Sequence, residues 1–453
     1  MYQLQYSLKQ HTPIIHFQYF LTDASLRCTE LKAALDKFII GDKSNCFSSD
    51  KAERLNAATS NYELKNWLKH STKPTNPSFD YEVEIFLNST NAKIYDKSQT
   101  EKLGFFGNMM NEESFNDKTK YKKAIIVNDL ITLKIKSVYT DLLIYIDSVI
   151  ANFFLLKNFG TRQSKGFGSY YPIEKYDYLI RQDILPYYFD VDENKLKYEK
   201  NQKELFYTVF EVINFFYKTL RSGHNVKDNQ GNDIFYFKSL MWAFAKSKKE
   251  HWDKKSIKNK YKNKLKIIDR QGNIIKRFDD AAVKTMRPNS NNSNFPLGYE
   301  DRLPDYLERH LWRDLLGLSS TESASYWKIN KSIDLKDSKI NRFKSPLIFK
   351  PIKIAEKQYR VFFGVPPYIQ YQFENGATIN GESEILDKIF KVDFKGTSGL
   401  KLKYPVKFNY SEFLQYAIST YNSNWVEDIN GFRTTNEYKI INNIYEQLKP
   451  QVK

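Results

Sequence analysis

Phe159-Gly160-Thr161-Arg162-Gln163-Ser164-Lys165-Gly166-Phe167-Gly168-Ser169-Tyr170 gathers three glycines, two cations and three aromatics within twelve residues, and the fold reads outward from it. Upstream, Val138, Leu142, Tyr145, Ile146, Val149, Phe153 and Leu156 recur at three- and four-residue intervals, which predicts an amphipathic helix running into the loop. Gly160 can supply the positive φ that ends such a helix. Glycines let successive backbone N–H groups approach an anion closely, and Arg162 and Lys165 add charge, so the stretch suits a run of phosphates. On that reading Gly166→Val harms binding more than folding. A Walker A loop and a dinucleotide fingerprint are both rejected on order, because here the helix precedes the glycines. A glycine-rich turn between helix and strand is the plainer alternative, and it leaves the two cations unexplained.

Tyr2 to Lys9 alternates as a half-buried strand, and Thr12-Pro13 stops it. Leu26, Leu31, Ala34, Leu35 and Phe38 mark a first helix up to Ile39. A polar stretch of loops follows. Tyr81 to Leu87 and Leu130 to Val138 alternate as two further strands, and Phe167 to Tyr171 is extended. The resulting order, strand–helix–strand–strand–helix–strand, is that of a ferredoxin-like (RRM-like) α+β domain over residues 1–172. Residues 88–128 separate two strands that should be neighbours and read as an insertion. In residues 173–453, Tyr178-Leu179-Ile180 and Tyr187 to Val191 read as extended, and a strong helix carries Leu205 to Leu220. Phe235 to Lys249 reads as helical, as do Leu307 to Leu318, Phe408 to Thr420 and Ile440 to Leu448, while Tyr359 to Phe363 reads as a strand.

The chain has 453 residues, 41% of them apolar, with 32 Tyr and 33 Phe, which allows a sizeable core. Seventy Lys and Arg against 53 Asp and Glu give +17, a balance that favours a polyanionic partner. Residues 246–277 hold 13 Lys or Arg and three acids, a net +10, with Trp252 and Tyr261 interleaved. That suits a solvated helix face and loop, or a surface tracking a nucleic-acid strand. No apolar run reaches the roughly twenty residues that span a bilayer, and Met1-Tyr2-Gln3-Leu4 opens no signal peptide. Two cysteines, Cys28 and Cys46, without a Cys-x-x-Cys, speak against a disulfide scaffold or zinc site and for the cytoplasm. No cofactor is expected.

Three motifs then line up: Thr12-Pro13-Ile14-Ile15-His16 after the first strand, Leu26-Arg27-Cys28-Thr29-Glu30-Leu31-Lys32 at the first helix, and Arg162 to Gly168 after the second. Together they resemble the RAMP superfamily of CRISPR proteins. Arg313-Asp314-Leu315-Leu316-Gly317-Leu318 and Arg342-Phe343-Lys344-Ser345-Pro346-Leu347 look like elements of its larger two-domain members, at the head of the type III Cmr effector complex. The resemblance implies tandem ferredoxin-like domains with helical and loop insertions, the second, divergent one within residues 173–453. It also implies a non-catalytic subunit holding guide or target RNA beside other effector subunits in antiviral defence. The RNA contacts it implies are Gly160, Arg162, Gln163, Ser164, Lys165, Gly166, Phe167 and Gly168 of the loop, Arg27 and Lys32 at the first helix, and Arg342 and Lys344. Phosphate contacts of this kind position RNA without reading its sequence.

The competing reading within the superfamily is a CRISPR repeat-RNA endoribonuclease with His16 or His11 as general base. No second acid stands near either histidine in sequence, and in that group the glycine loop tends to lie near the C-terminus. A target-RNA nuclease would use Asp117 or Asp129 with a divalent ion, yet neither has a second ligand at useful spacing. A peripheral membrane protein would need an apolar face within residues 246–277, which that segment lacks.

Overall fold

The computed structural model describes residues 1–15, 25–47, 51–69, 77–87, 91–95, 124–193, 205–227, 233–252, 266–268, 274–277, 309–319, 321–324, 327–334, 339–340, 342–343, 345–367, 390–394, 397–402, 408–421 and 432–452. They divide into two compact units: Met1–Asn214 with Leu347–Gln372 and Thr378–Ser383, and Phe215–Pro346 with Phe373–Ala377 and Glu384–Lys453.

The first unit runs through β1 (Tyr2–Gln10), α1 (Cys28–Ser44), α2 (Lys51–Ser60), α3 (Tyr62–Trp67), β2 (Tyr81–Leu87), β3 (Ala92–Tyr95), β4 (Ala124–Val127), β5 (Ile131–Ser137), α4 (Thr140–Leu156), β6 (Tyr170–Pro172), β7 (Tyr187–Asp192) and the start of α5 (Leu205–Arg221). It is completed by β8 (Ile348–Ala355) and β9 (Gln358–Gly364). Four antiparallel strands form its main sheet in the order β2-β5-β1-β6. The register follows from alternation. β5 buries Ile131, Leu133 and Ile135 and leaves Thr132, Lys134 and Lys136 half-buried, with Tyr6 and Ile85 opposite Leu133 on either side. Burying those three side chains contributes roughly 5–9 kcal/mol, comparable to the net stability of a whole domain. A one-residue slip would turn them outward.

α1 and α4 close the inner face, burying Leu31, Leu35 and Ile39 from one helix and Leu142, Ile146, Ile150 and Phe153 from the other. Polar groups pin the edges of this core. Tyr6 donates its hydroxyl to Asp147 at 2.7 Å, and Trp67 donates its indole N–H to Asp141 at 2.7 Å. A second antiparallel sheet of the unit has the order β8-β9-β7.

Several sequence expectations need correction. The polar stretch after the first helix contains α2 and α3, which bury only Arg54 and Ala58, and Leu64 and Trp67, too few apolar positions for a periodic signal. Tyr178–Arg181 is one helical turn rather than an extended piece. The insertion expected at 88–128 has a two-stranded base, β3 against β4, with Ala92 opposite Val127. Buried Gln10 ties that base to β1: its amide donates to Thr12 O at 3.0 Å and Ile125 O at 2.8 Å, and its carbonyl accepts from Val127 N–H at 2.9 Å.

In the second unit, the strand Asp233–Phe237 takes in the first three residues of the helix expected from Phe235, and α6 (Leu240–Ser247) begins only after it, capped by the Ser239 hydroxyl on Trp242 N–H. Ser239 favours the N-cap over a helix interior, which breaks the expected run. Of Leu307–Leu318, residues 307 and 308 lie outside the description, and Arg313–Leu316 is a single 3₁₀ turn ending at Gly317, φ 118. α7 (Tyr410–Thr420) and α8 (Asn436–Leu448) fall where periodicity places them. Phe216 and Tyr421 pack on Tyr445, the latter stacked at 4.0 Å between ring centres.

We expect Gln10→Leu, close in volume but unable to pair, to cost about 2–3 kcal/mol, because it leaves Thr12 O and Val127 N–H without their side-chain partner, whereas Ile125 O keeps the Ile14 N–H at 2.8 Å. A urea midpoint shift reads it, and a loss under about 0.5 kcal/mol would mean that Gln10 does not hold the β3–β4 stem to β1.

Candidate functional site

The glycine loop leaves α4 and turns back to β6 through a 3₁₀ turn, Gln163–Lys165. Gly160, Gly166 and Gly168 have φ of 75°, 87° and 66°, and Arg162 has φ 58°, an uncommon left-handed conformation for a residue with a side chain. The glycines face protein. A Cβ on Gly160 would stand 2.6 Å from Ile15 O, on Gly166 2.7 Å from Pro351 Cγ, and on Gly168 2.1 Å from Phe159 O. Their N–H groups also donate inward: Gly160 to Glu30 Oε1 at 3.0 Å, Gly166 to Gln163 O at 3.2 Å, Gly168 to Pro13 O at 2.9 Å. These three amides are therefore engaged within the fold instead of cradling an anion. The expectation for Gly166→Val reverses with them, since a side chain there meets Pro351 and a strained φ.

Polar side chains hold the loop from behind. Thr12 donates its hydroxyl to Gly166 O at 2.6 Å and accepts from Ser169 N–H at 3.0 Å. Ser169 in turn donates to Pro351 O at 2.8 Å. Asn158 donates to Gln163 O at 2.7 Å and to Phe349 O at 2.9 Å. Lys350 is fully buried, and its Nζ donates to Lys157 O at 3.0 Å, Asn158 Oδ1 at 3.1 Å and Tyr170 O at 2.8 Å. Burial drives its pKa well below the ordinary lysine value. Sequence reasoning missed Lys350 altogether. Its signal is a lone lysine inside the apolar run Leu347-Ile348-Phe349-Lys350-Pro351-Ile352.

Arg162 and Gln163 are half-buried. Gln163 donates to Gly160 O at 2.8 Å and accepts from Lys157 Nζ at 3.1 Å. Burial lowers the Lys157 pKa, Glu30 opposes that shift and Lys37 adds to it. The structure thus brings together Arg162, Gln163 and Lys157, with Glu30 against the Gly160 amide.

The other expected contacts are placed differently. Ser164 is buried. Lys165 turns its Nζ out of contact with solvent, 5.9 Å from the centre of the Phe349 ring. Phe167 is buried and stacks on Phe210 at 3.9 Å, so its ring faces the core and no base. Lys32 is committed to Asp36 at 3.2 Å and Phe79 O at 2.9 Å, above the Tyr81 ring. Arg27 is half-buried at the N-cap of α1. Arg342 lies on a strand of the second unit, opposite Ser319, while Lys344 lies outside the described residues, as do His16, Asp117 and most of the basic stretch 246–277.

His11 is buried with both ring nitrogens engaged: Nδ1 accepts from Lys353 N–H at 3.0 Å, and Nε2 meets the Tyr176 hydroxyl at 3.3 Å. Burial first, then Lys350, Lys9 and Lys353, hold its pKa well below 6.5. A base needs a lone pair facing its substrate, and this ring has none to offer. Asp129 is half-buried, and among the described residues no group of three or more His, Cys, Asp or Glu could hold a metal ion. No described helix is long and apolar enough to cross a membrane.

Neutral His11 makes stability depend on pH with a definite sign. Below 6.5 the unfolded chain takes up a proton that the folded chain refuses, so stability falls as pH falls, by at most about 1.4 kcal/mol per unit. We expect denaturant unfolding of the wild type to weaken between about pH 7 and pH 5 more steeply than that of His11→Gln. Parallel profiles would mean that the ring titrates alike in both states.

Two family models match the chain: the Cmr1 N-terminal domain over residues 1–224 and the Cmr1 C-terminal domain over residues 236–444. No curated protein matches it. Among solved structures, the crystal structure of Cmr1 from Pyrococcus furiosus in its apo form covers 93% of this chain and 97% of its own, at 12% identity and a TM-score of 0.34, a likeness too loose to bear on the fold. The chain belongs to the Cmr1 family, RAMP-type subunits of the type III CRISPR Cmr effector complex.

Proposed function

We propose that this subunit holds RNA without cutting it, with Arg162 and Lys157 on the phosphates of guide or target RNA. The observation that carries this reading is Arg162 itself: a cation in a left-handed backbone on a turn fixed from behind by Thr12, Asn158, Ser169 and Lys350. A loop held this way fixes the backbone that carries Arg162, which leaves little main chain to order on binding. Gly160, Gly166, Phe167 and Gly168 serve by shaping the loop, and Ser164 and Lys165 by filling its underside. Arg27, Arg342 and Lys344 remain candidate contacts. The commitment of His11 to Lys353 and Tyr176 counts against the repeat-nuclease reading.

The same reading takes the sheet closed within residues 1–172 as a ferredoxin-like domain with an insertion at 88–128, and places a second, divergent one in residues 173–453. It sets the protein in the cytoplasm among other effector subunits.

Arg162→Ala should weaken binding of unrelated single-stranded RNAs by the same factor, about three- to tenfold. It should also flatten the log–log salt dependence by about 0.7, because one phosphate contact is lost. Filter retention across a salt series measures both. Unchanged affinity and slope would take the loop out of RNA binding, and cleavage of repeat RNA by the purified chain would overturn the non-catalytic reading.

A further inference from the structure

A chain of cations leads away from the loop. Lys157 touches it through Gln163 at 3.1 Å. Lys37, exposed on α1, acts electrostatically on Lys157, and Arg54 and Lys51 act on Lys37, each cation lowering its neighbour's pKa after burial has done so. Lys37 stands seven residues after Glu30, whose carboxylate touches the Gly160 amide, so both lie on one face of α1, about 10 Å apart along its axis. Only Ala33 and Ala34 lie on that face between them. α2 is an addition to the strand–helix–strand–strand–helix–strand order, and it seats Ala58 in the same core as Leu31 and Leu35 of α1, which fixes Lys51 and Arg54 relative to Lys37.

Like charges collected this way repel in the unliganded chain, and a polyanion laid across them relieves that cost. We propose that Lys37 and Lys51, backed by Arg54 and linked through Lys157, extend the RNA surface from the glycine loop along α1 to the start of α2. The subunit then holds the sugar–phosphate backbone of one RNA strand at two points. The inference rests on the RNA-holding reading and adds a second contact region to it. The occupant is single-stranded RNA held by its backbone, since Ala33, Ala34 and Lys37 on the described face of α1 offer charge and no polar side chain that reads a base edge.

The test uses the full chain, 5′-labelled single-stranded RNAs of 2 and 15 nucleotides, and anisotropy across a salt series. Lys37→Ala with Lys51→Ala should bind the 15-mer about tenfold more weakly, with a slope shallower by about 1.4, two contacts at 0.7 each. The dinucleotide, whose single internal phosphate the loop alone accommodates, should change by less than about twofold. Lys37→Arg with Lys51→Arg should restore the 15-mer, separating charge from any effect on folding. If the double alanine variant binds both lengths as the wild type does while Arg162→Ala weakens both, the extension is wrong and the loop reading stands. Equal weakening of both lengths would also overturn the second contact. If the wild type retains neither RNA, the RNA-holding reading fails and the extension falls with it.

Discussion

The Lys350 amine sits where no water reaches, and the loop depends on it. Removing an ammonium from water costs several kcal/mol, recovered only when every donor finds an acceptor. Here the acceptors are Lys157 O, Asn158 Oδ1 and Tyr170 O, at the two ends of the turn. One atom thereby sets how far apart the end of α4 and the start of β6 can stand. Asn158 relays the constraint to Gln163 O, inside the 3₁₀ turn. The unusual backbone of Arg162 is affordable because its neighbours on both sides have nowhere else to go.

A second anchor lies at the end of β1. Gln10 binds the stem of the insertion, His11 binds Lys353 N–H, Thr12 binds the loop at Gly166 and Ser169, and Pro13 O accepts from Gly168 N–H. Four consecutive residues thus serve three different elements. The glycines complete the fit, because only a residue without Cβ lets Gly168 lie against the Phe159 carbonyl.

How much of this was legible in the sequence depends on the range of the interaction. Alternation located β1, β2 and β5, and three-four periodicity located α4, α5, α7 and α8, since those signals lie within a few residues of one another. The glycine loop stood out by composition, and the family followed from it and its two companion motifs. Its internal role did not follow: glycines beside cations look the same whether they face phosphate or Pro351. Lys32 illustrates the converse, a cation at the expected place whose partners Asp36 and Phe79 O come from the core. Lys350 was beyond reach, for its contacts with Lys157 and Asn158 span more than 190 residues. α2 and α3 were missed because short helices with two buried side chains each leave almost no periodic trace.

The downstream strand β8 also sets an order of events during synthesis. The sheet β2-β5-β1-β6 is complete once residue 172 exists, yet Phe349, Lys350 and Pro351, which lock the turn, are made almost 180 residues later. Until they emerge from the ribosome, the Arg162 turn has Thr12 and Asn158 behind it, while Lys157 O and Tyr170 O wait for the Lys350 amine. Severing the chain between the two family domains, near residue 224, would therefore yield an amino-terminal piece with its sheet intact and its glycine loop unlocked.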